Sequence, residues 1–98
     1  MMEPTRAMQV LCVSASVSYR GNLTPDALLA FLRSGTVTDD CTTQLDYAIE
    51  EVPPGLWRKA LRDFGEAEQA QMRRMVSGYA EARRLYLSVE MADWLLRG

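Results

Sequence analysis

The sequence predicts a mostly helical fold of the α+β class, with about four helices, one N-terminal β-strand and a long amphipathic helix at the C-terminal end. Three observations predict it. Residues 10–19 alternate apolar and serine side chains with a period of two. Three middle segments carry apolar residues at three- and four-residue spacing between caps and breakers. Residues 66–96 then run on without a proline, so nothing in them forbids one continuous helix.

Residues 1–6 read as a frayed end. In the strand that follows, Leu11, Val13, Ala15, Val17 and Tyr19 share one face, and Ser14, Ser16 and Ser18 share the other. Residues 20–22 (Arg-Gly-Asn) supply the turn that ends it. A strand needs hydrogen-bonding partners. Residues 36–38 are a short candidate within the chain, and a second copy of residues 10–19 is the other. The fold is all-α if neither pairs.

The first helix has the clearest signals. Thr24 suits the N-cap, Pro25 the first helical position, Asp26 the positive helix end and Gly35 the left-handed stop. Leu28, Leu29, Phe31 and Leu32 form its apolar face. A second helix over roughly 40–51, capped by Thr38 or Asp39, turns Cys41, Leu45, Ala48 and Ile49 inward. The Val-Pro-Pro-Gly break at 52–55 ends it, because a residue before proline is pushed out of the helical region. Leu56, Trp57, Ala60, Leu61 and Phe64 mark a third amphipathic helix, interrupted at Gly65.

The long fourth helix carries two stripes. Met72, Met75, Val76, Tyr79, Ala82 and Tyr86 cluster on one side, while Leu85, Val89, Ala92 and Leu96 lie about a quarter turn away. Supercoiling absorbs only about 20° of drift per heptad. The helix therefore breaks near residues 78–82 or changes partner along its length. Its opposite face, with Glu66, Arg73, Glu81 and Arg84, reads as solvated, and Asp93 and Arg97 are spaced for an i,i+4 pair. The second stripe, joined by Trp94 near the end, is the candidate interface: Leu85, Val89, Ala92, Trp94 and Leu96.

At 98 residues the chain predicts a single small domain over 1–98 with a thin core, for which self-association is a common remedy. Residues 1–52 hold three Arg against seven acids, net −4; residues 53–98 hold eight basic residues against six acids, net +2. No strong global field draws the protein to nucleic acid or anionic membrane. One lysine against ten arginines is the bias of a GC-rich genome, which suggests a bacterial or phage origin. Residues 7–19 are too interrupted for a secretion signal and no apolar run is long enough to span a bilayer, so the expected location is the cytoplasm.

The composition narrows the chemistry. With no histidine, the Ser-His-Asp and Cys-His catalytic arrangements are excluded and a zinc site lacks its usual nitrogen ligands. Cys12 and Cys41 stand alone and read as buried free thiols. Asp39/Asp40 and Glu50/Glu51 are adjacent pairs whose side chains diverge on a helix. No phosphate-binding glycine motif is present. No enzyme activity and no cofactor are expected.

The second helix mimics the reader of a helix-turn-helix, but it would present Asp39, Asp40, Asp46, Glu50 and Glu51 to phosphates, which repel them. Arg62, Arg73 and Arg84 recur every 11 residues and would share a face on one continuous helix. They are the candidate contacts to nucleic acid or to an acidic protein partner. The function expected is that of a small intracellular protein-interaction module, a homodimer that also binds a larger protein in an accessory or inhibitory role. The alternative is a nucleic-acid-associated regulator touching phosphates through those three arginines.

Overall fold

The structure, a computed structural model, describes residues 6–18 and 23–97. Within them the chain forms six α-helices: α1 (Arg6–Ser18), α2 (Pro25–Ser34), α3 (Thr42–Glu50), α4 (Pro54–Leu61), α5 (Glu66–Arg83) and α6 (Val89–Arg97). A 3-10 turn at Asp39–Cys41 leads into α3. Among the described residues there is no strand, so the class is all-α and the helix count exceeds the expected four.

The predicted strand is α1, and the reason lies in two periods written over the same residues. Met8, Leu11, Cys12 and Ala15 stand at i, i+3, i+4 and i+7, and all four are buried. Leu11 and Ala15 satisfy either period. Val13 decides between them: the period of two requires its burial, and it is 62% exposed. A helix also pairs its own backbone groups, whereas a strand here would lack its candidate partner within the chain, since residues 36–38 are not in a ladder. Serine does not oppose this, because the Ser14 hydroxyl donates to the Val10 carbonyl at 2.9 Å, one turn back. Of the expected frayed end at 1–6, Arg6 opens α1 and residues 1–5 lie outside the described residues, as do Tyr19 and the turn at 20–22.

α2 forms as its sequence dictates. The Ala27 N–H donates to the Thr24 hydroxyl oxygen at 3.1 Å, Pro25 opens the helix, and Gly35 closes it at φ 77° with its N–H on the Phe31 carbonyl. Leu28, Leu29, Phe31 and Leu32 are buried. In α3 and the turn before it, Cys41, Leu45, Ala48 and Ile49 point into the core as expected. Gln44 joins them fully buried, its side-chain oxygen accepting the Leu23 N–H at 2.7 Å. The proline break reverses the chain into α4, and the Trp57 indole N–H ties the two helices by donating to the Ala48 carbonyl at 2.9 Å.

α1 packs against α3 and α4, α2 against α5, and α6 against α4 and α5. The buried residues form one cluster spanning all six helices.

The long C-terminal helix is two helices. It breaks at residues 84–88, a few residues beyond the expected 78–82. Arg84 takes the left-handed conformation at φ 56°. Its N–H reaches the Glu81 carbonyl at 3.2 Å, and the Leu85 N–H reaches Ala80 at 2.9 Å, which together close α5 in a Schellman motif. Ser88 then caps α6, its hydroxyl accepting the Met91 N–H at 3.1 Å. The change of apolar side along the sequence is thus a change of direction of the chain.

Arginine carries a Cβ penalty of about 1–2 kcal/mol in the left-handed region that glycine escapes. Glycine's greater freedom in the unfolded chain offsets part of that gain. Arg84→Gly should therefore raise unfolding free energy by about 0.5–1 kcal/mol. Chemical denaturation should read this as a higher midpoint at unchanged slope.

Candidate interaction surface

α6 has two apolar sides. Met91, Trp94 and Leu95, at i, i+3 and i+4, are buried on one. Val89 and Leu96 stand on the other, each 83% exposed. They are seven residues apart, so two helical turns bring them back to one face. Ala92 is half-buried at the edge of that face, and Asp93 and Arg97 flank it as an ion pair at 3.2 Å.

Of the five expected interface residues, Val89 and Leu96 are open and Ala92 is at the margin. Trp94 is corrected: it is 2% exposed and belongs to the core, where its ring lies 5.8 Å from that of Trp57 at an interplanar angle of 36°. At about 100° per residue, Trp94 sits some 160° around the helix from Leu96, so one face cannot hold both. Leu85 is also corrected. It lies before α6, in the loop, and packs partly buried against the core. Tyr86, in the same loop, is 79% exposed while its N–H donates to Glu50 Oε2 at 2.9 Å.

The arginine spacing does not make a face. Arg62 follows α4, Arg73 lies within α5 and Arg84 ends it in the left-handed conformation. The chain turn between Leu61 and Glu66 removes the continuous helix that an 11-residue repeat requires. Arg73 does share an open groove between α5 and α6 with Arg97, but Glu66 lines the same groove.

One polar constellation escaped the sequence. Asp46 on α3 accepts from Arg83 Nε at 2.8 Å on one oxygen and from Arg83 Nη2 at 2.6 Å on the other. The Tyr79 hydroxyl donates to the first of these oxygens at 2.9 Å. The guanidinium also lies 5.5 Å from the Tyr79 ring centre, and that ring meets Phe31 edge-on at 5.0 Å. The sequence predicts Asp46 as an exposed acid, and it is instead half-buried. Its partners are 33 and 37 residues away, beyond the reach of any local pattern. The arrangement clamps α3 to α5. Among the described residues, no group of three His, Cys, Asp or Glu side chains is placed to hold a metal ion, and no helix is long and apolar enough to cross a membrane.

Both cysteines are buried thiols outside any disulfide. Burial, with a smaller contribution from nearby Cys41, pushes the Cys12 thiol up to about 12. Burial and then its bond to Asp46 raise the Tyr79 phenol above its ordinary range. These are groups whose protonated forms are held in the folded state. Their contribution to stability is complete below the unfolded pKa and is lost as pH rises through the folded one. Stability should therefore begin to fall near pH 9, where the unfolded Cys12 ionises, by up to roughly 1.4 kcal/mol per pH unit. Tyr79 adds to the slope above about pH 10. Denaturation midpoints for Cys12→Ala across this range should lack the first phase.

No known protein family, curated protein or solved structure matches the chain.

Proposed function

We propose that this protein is a small interaction module without catalytic activity, and that the outer face of α6 is its contact surface for a second copy of the chain and for a larger protein. The observation that carries the proposal is the pair Val89 and Leu96, both 83% exposed on one face of a helix whose other face is fully packed. Isolated exposed apolar residues need no explanation, but two large ones sharing a short helical face, with an ion pair beside them, have the make-up of a small contact patch. An accessory or inhibitory role against a larger protein suits a chain of this size.

The patch is small. Two such side chains expose a few hundred Å² per copy, below the roughly 800 Å² per partner of a stable interface. Self-association through it alone belongs in the micromolar range or weaker. Light scattering after size exclusion, over a concentration series, should show mass rising with concentration. The double variant Val89→Asp, Leu96→Asp should stay monomeric while keeping its helicity, because neither side chain is in the core. A wild type that remains monomeric throughout, or a double variant that associates equally well, removes this face from consideration.

The second reading, contact with nucleic-acid phosphates, rests on Arg62, Arg73 and Arg84, which lie on three separate parts of the fold. It requires binding that weakens steeply with salt. Titration with duplex DNA and with RNA at low salt tests it, and no binding there disposes of it.

A further inference from the structure

The link between α5 and α6 has an unusual combination of features. Arg84 is the one non-glycine residue of positive φ among the described residues. The loop it opens, Leu85, Tyr86, Leu87 and Ser88, contains neither glycine nor proline. Nothing in these residues forbids helix, and leucine and arginine favour it. One of the two apolar stripes, Leu85, Val89, Ala92 and Leu96, also keeps helical spacing across the break. What holds the loop closed is the Schellman bonds of Arg84 and Leu85 and the Ser88 cap, which are local, together with the Tyr86 N–H on Glu50 of α3 and the partly buried Leu85 and Leu87. A straightened segment would exchange those backbone bonds for helical ones at i−4.

We propose that residues 84–88 are an exchange hinge. The segment straightens, α5 and α6 become one rod, and the α6 of a second copy fills the seat on α4 and α5 that the first has left. Geometry fixes the occupant. A rod over 66–97 is about 48 Å long, whereas the folded body extends 32 Å at most. In the rod α6 projects beyond its own body and cannot reach its own seat. Met91, Trp94 and Leu95 must still be covered, and the surface shaped for them is the seat of another copy, where Trp94 again meets Trp57. The rod has a second consequence. Leu85, Val89, Ala92 and Leu96 fall at i, i+4, i+7 and i+11, so the stripe that the closed form divides between loop and solvent becomes continuous. This inference does not depend on the outer face of α6 binding anything in the closed form.

The test compares Arg84→Ala with Arg84→Gly in the full chain, each refolded from denaturant at high protein concentration and followed by light scattering. Alanine favours the rod and glycine the left-handed closed turn. Each hinge should move the equilibrium by about tenfold, and a dimer contains two, so the dimer constants should differ by about 100-fold. The exchanged dimer must open to separate, and should persist for hours after dilution. Two glycines inserted after Tyr86 should lower the dimer fraction relative to wild type, because a longer loop relieves the closed form. That comparison decides the matter if Arg84→Ala does not fold. Equal dimerisation of the alanine and glycine variants, an insertion without effect, or a dimer that falls apart at once on dilution overturns the hinge. A fast, Arg84-independent dimer abolished by Val89→Asp, Leu96→Asp leaves the outer-face contact standing alone. Monomers under every condition overturn both.

Discussion

Trp57→Ala should cost about 3–5 kcal/mol and leave the protein unfolded or close to it. Trp57 is the largest of the fully buried side chains. Its ring packs at a tilt against Trp94, so its removal also takes away part of the surface on which α6 rests. Its indole N–H serves the Ala48 carbonyl across the proline break, so truncation leaves α3 and α4 without that tie. A domain of this size has about 5–15 kcal/mol in all, and each kcal/mol shifts the midpoint of thermal unfolding by roughly 4–8 °C. Trp57→Phe isolates the parts. It retains most of the apolar volume and loses the hydrogen bond, and should cost about 1–3 kcal/mol. Thermal melts of the two variants check the order. Alanine tolerated within a few degrees of wild type would mean that neither the Trp94 contact nor the Ala48 hydrogen bond contributes much to stability.

The ease of reading each element follows from how local its determinants are. α2 is set by residues adjacent in sequence, with a threonine cap, a proline at the first position and a glycine stop, and each occupies its expected place. The inward residues of α3 are equally local. α1 misleads because Leu11 and Ala15 fit both a strand and a helix. The choice depends on whether a pairing partner exists elsewhere in the chain, which is a tertiary fact. Serines at alternate positions reinforce the error, although a helical serine can bond to the preceding turn, as Ser14 does.

The break after α5 is legible in part. Two stripes a quarter turn apart announce that something changes, and a change does occur. Its position is hidden because the stop residue is Arg84, where the ordinary signal would be glycine or asparagine. The cap of the next helix, Ser88, is an ordinary one that is easily overlooked inside an apparent helix. Trp94 and Leu96 part for a separate reason. Neighbours near the end of a chain are not neighbours on a helix, and only the packed partner, Trp57, reveals which side faces inward. The basic candidates failed as a face for a related reason, since the 11-residue repeat assumed a helix running through Gly65, and the chain turns there.

Asp46→Ala should cost about 2 kcal/mol, more than its position on a partly exposed helix suggests. The carboxylate accepts three hydrogen bonds from two residues of α5. Bonds to a charged group are worth about 1.5–3 kcal/mol each when well shielded. Here the Asp46 side chain is 18% exposed but that of Arg83 is 42% exposed, so solvent screens the ion pair and the lower figure applies. The two partners should also respond unequally. Arg83 can turn to water, whereas the Tyr79 hydroxyl is half-buried beside Phe31 and has less access to a replacement. Tyr79→Phe should then cost about 1 kcal/mol in wild type and nearly nothing when Asp46 is already alanine. A double-mutant cycle of Asp46→Ala with Arg83→Ala should return a coupling of about 1 kcal/mol that shrinks with added salt, while the Tyr79 coupling should not. Equal salt dependence of the two couplings would mean that the phenol and the guanidinium share one solvated site. The difference between them is what makes this clamp a fixture of the α3–α5 contact and not a surface ion pair of little consequence.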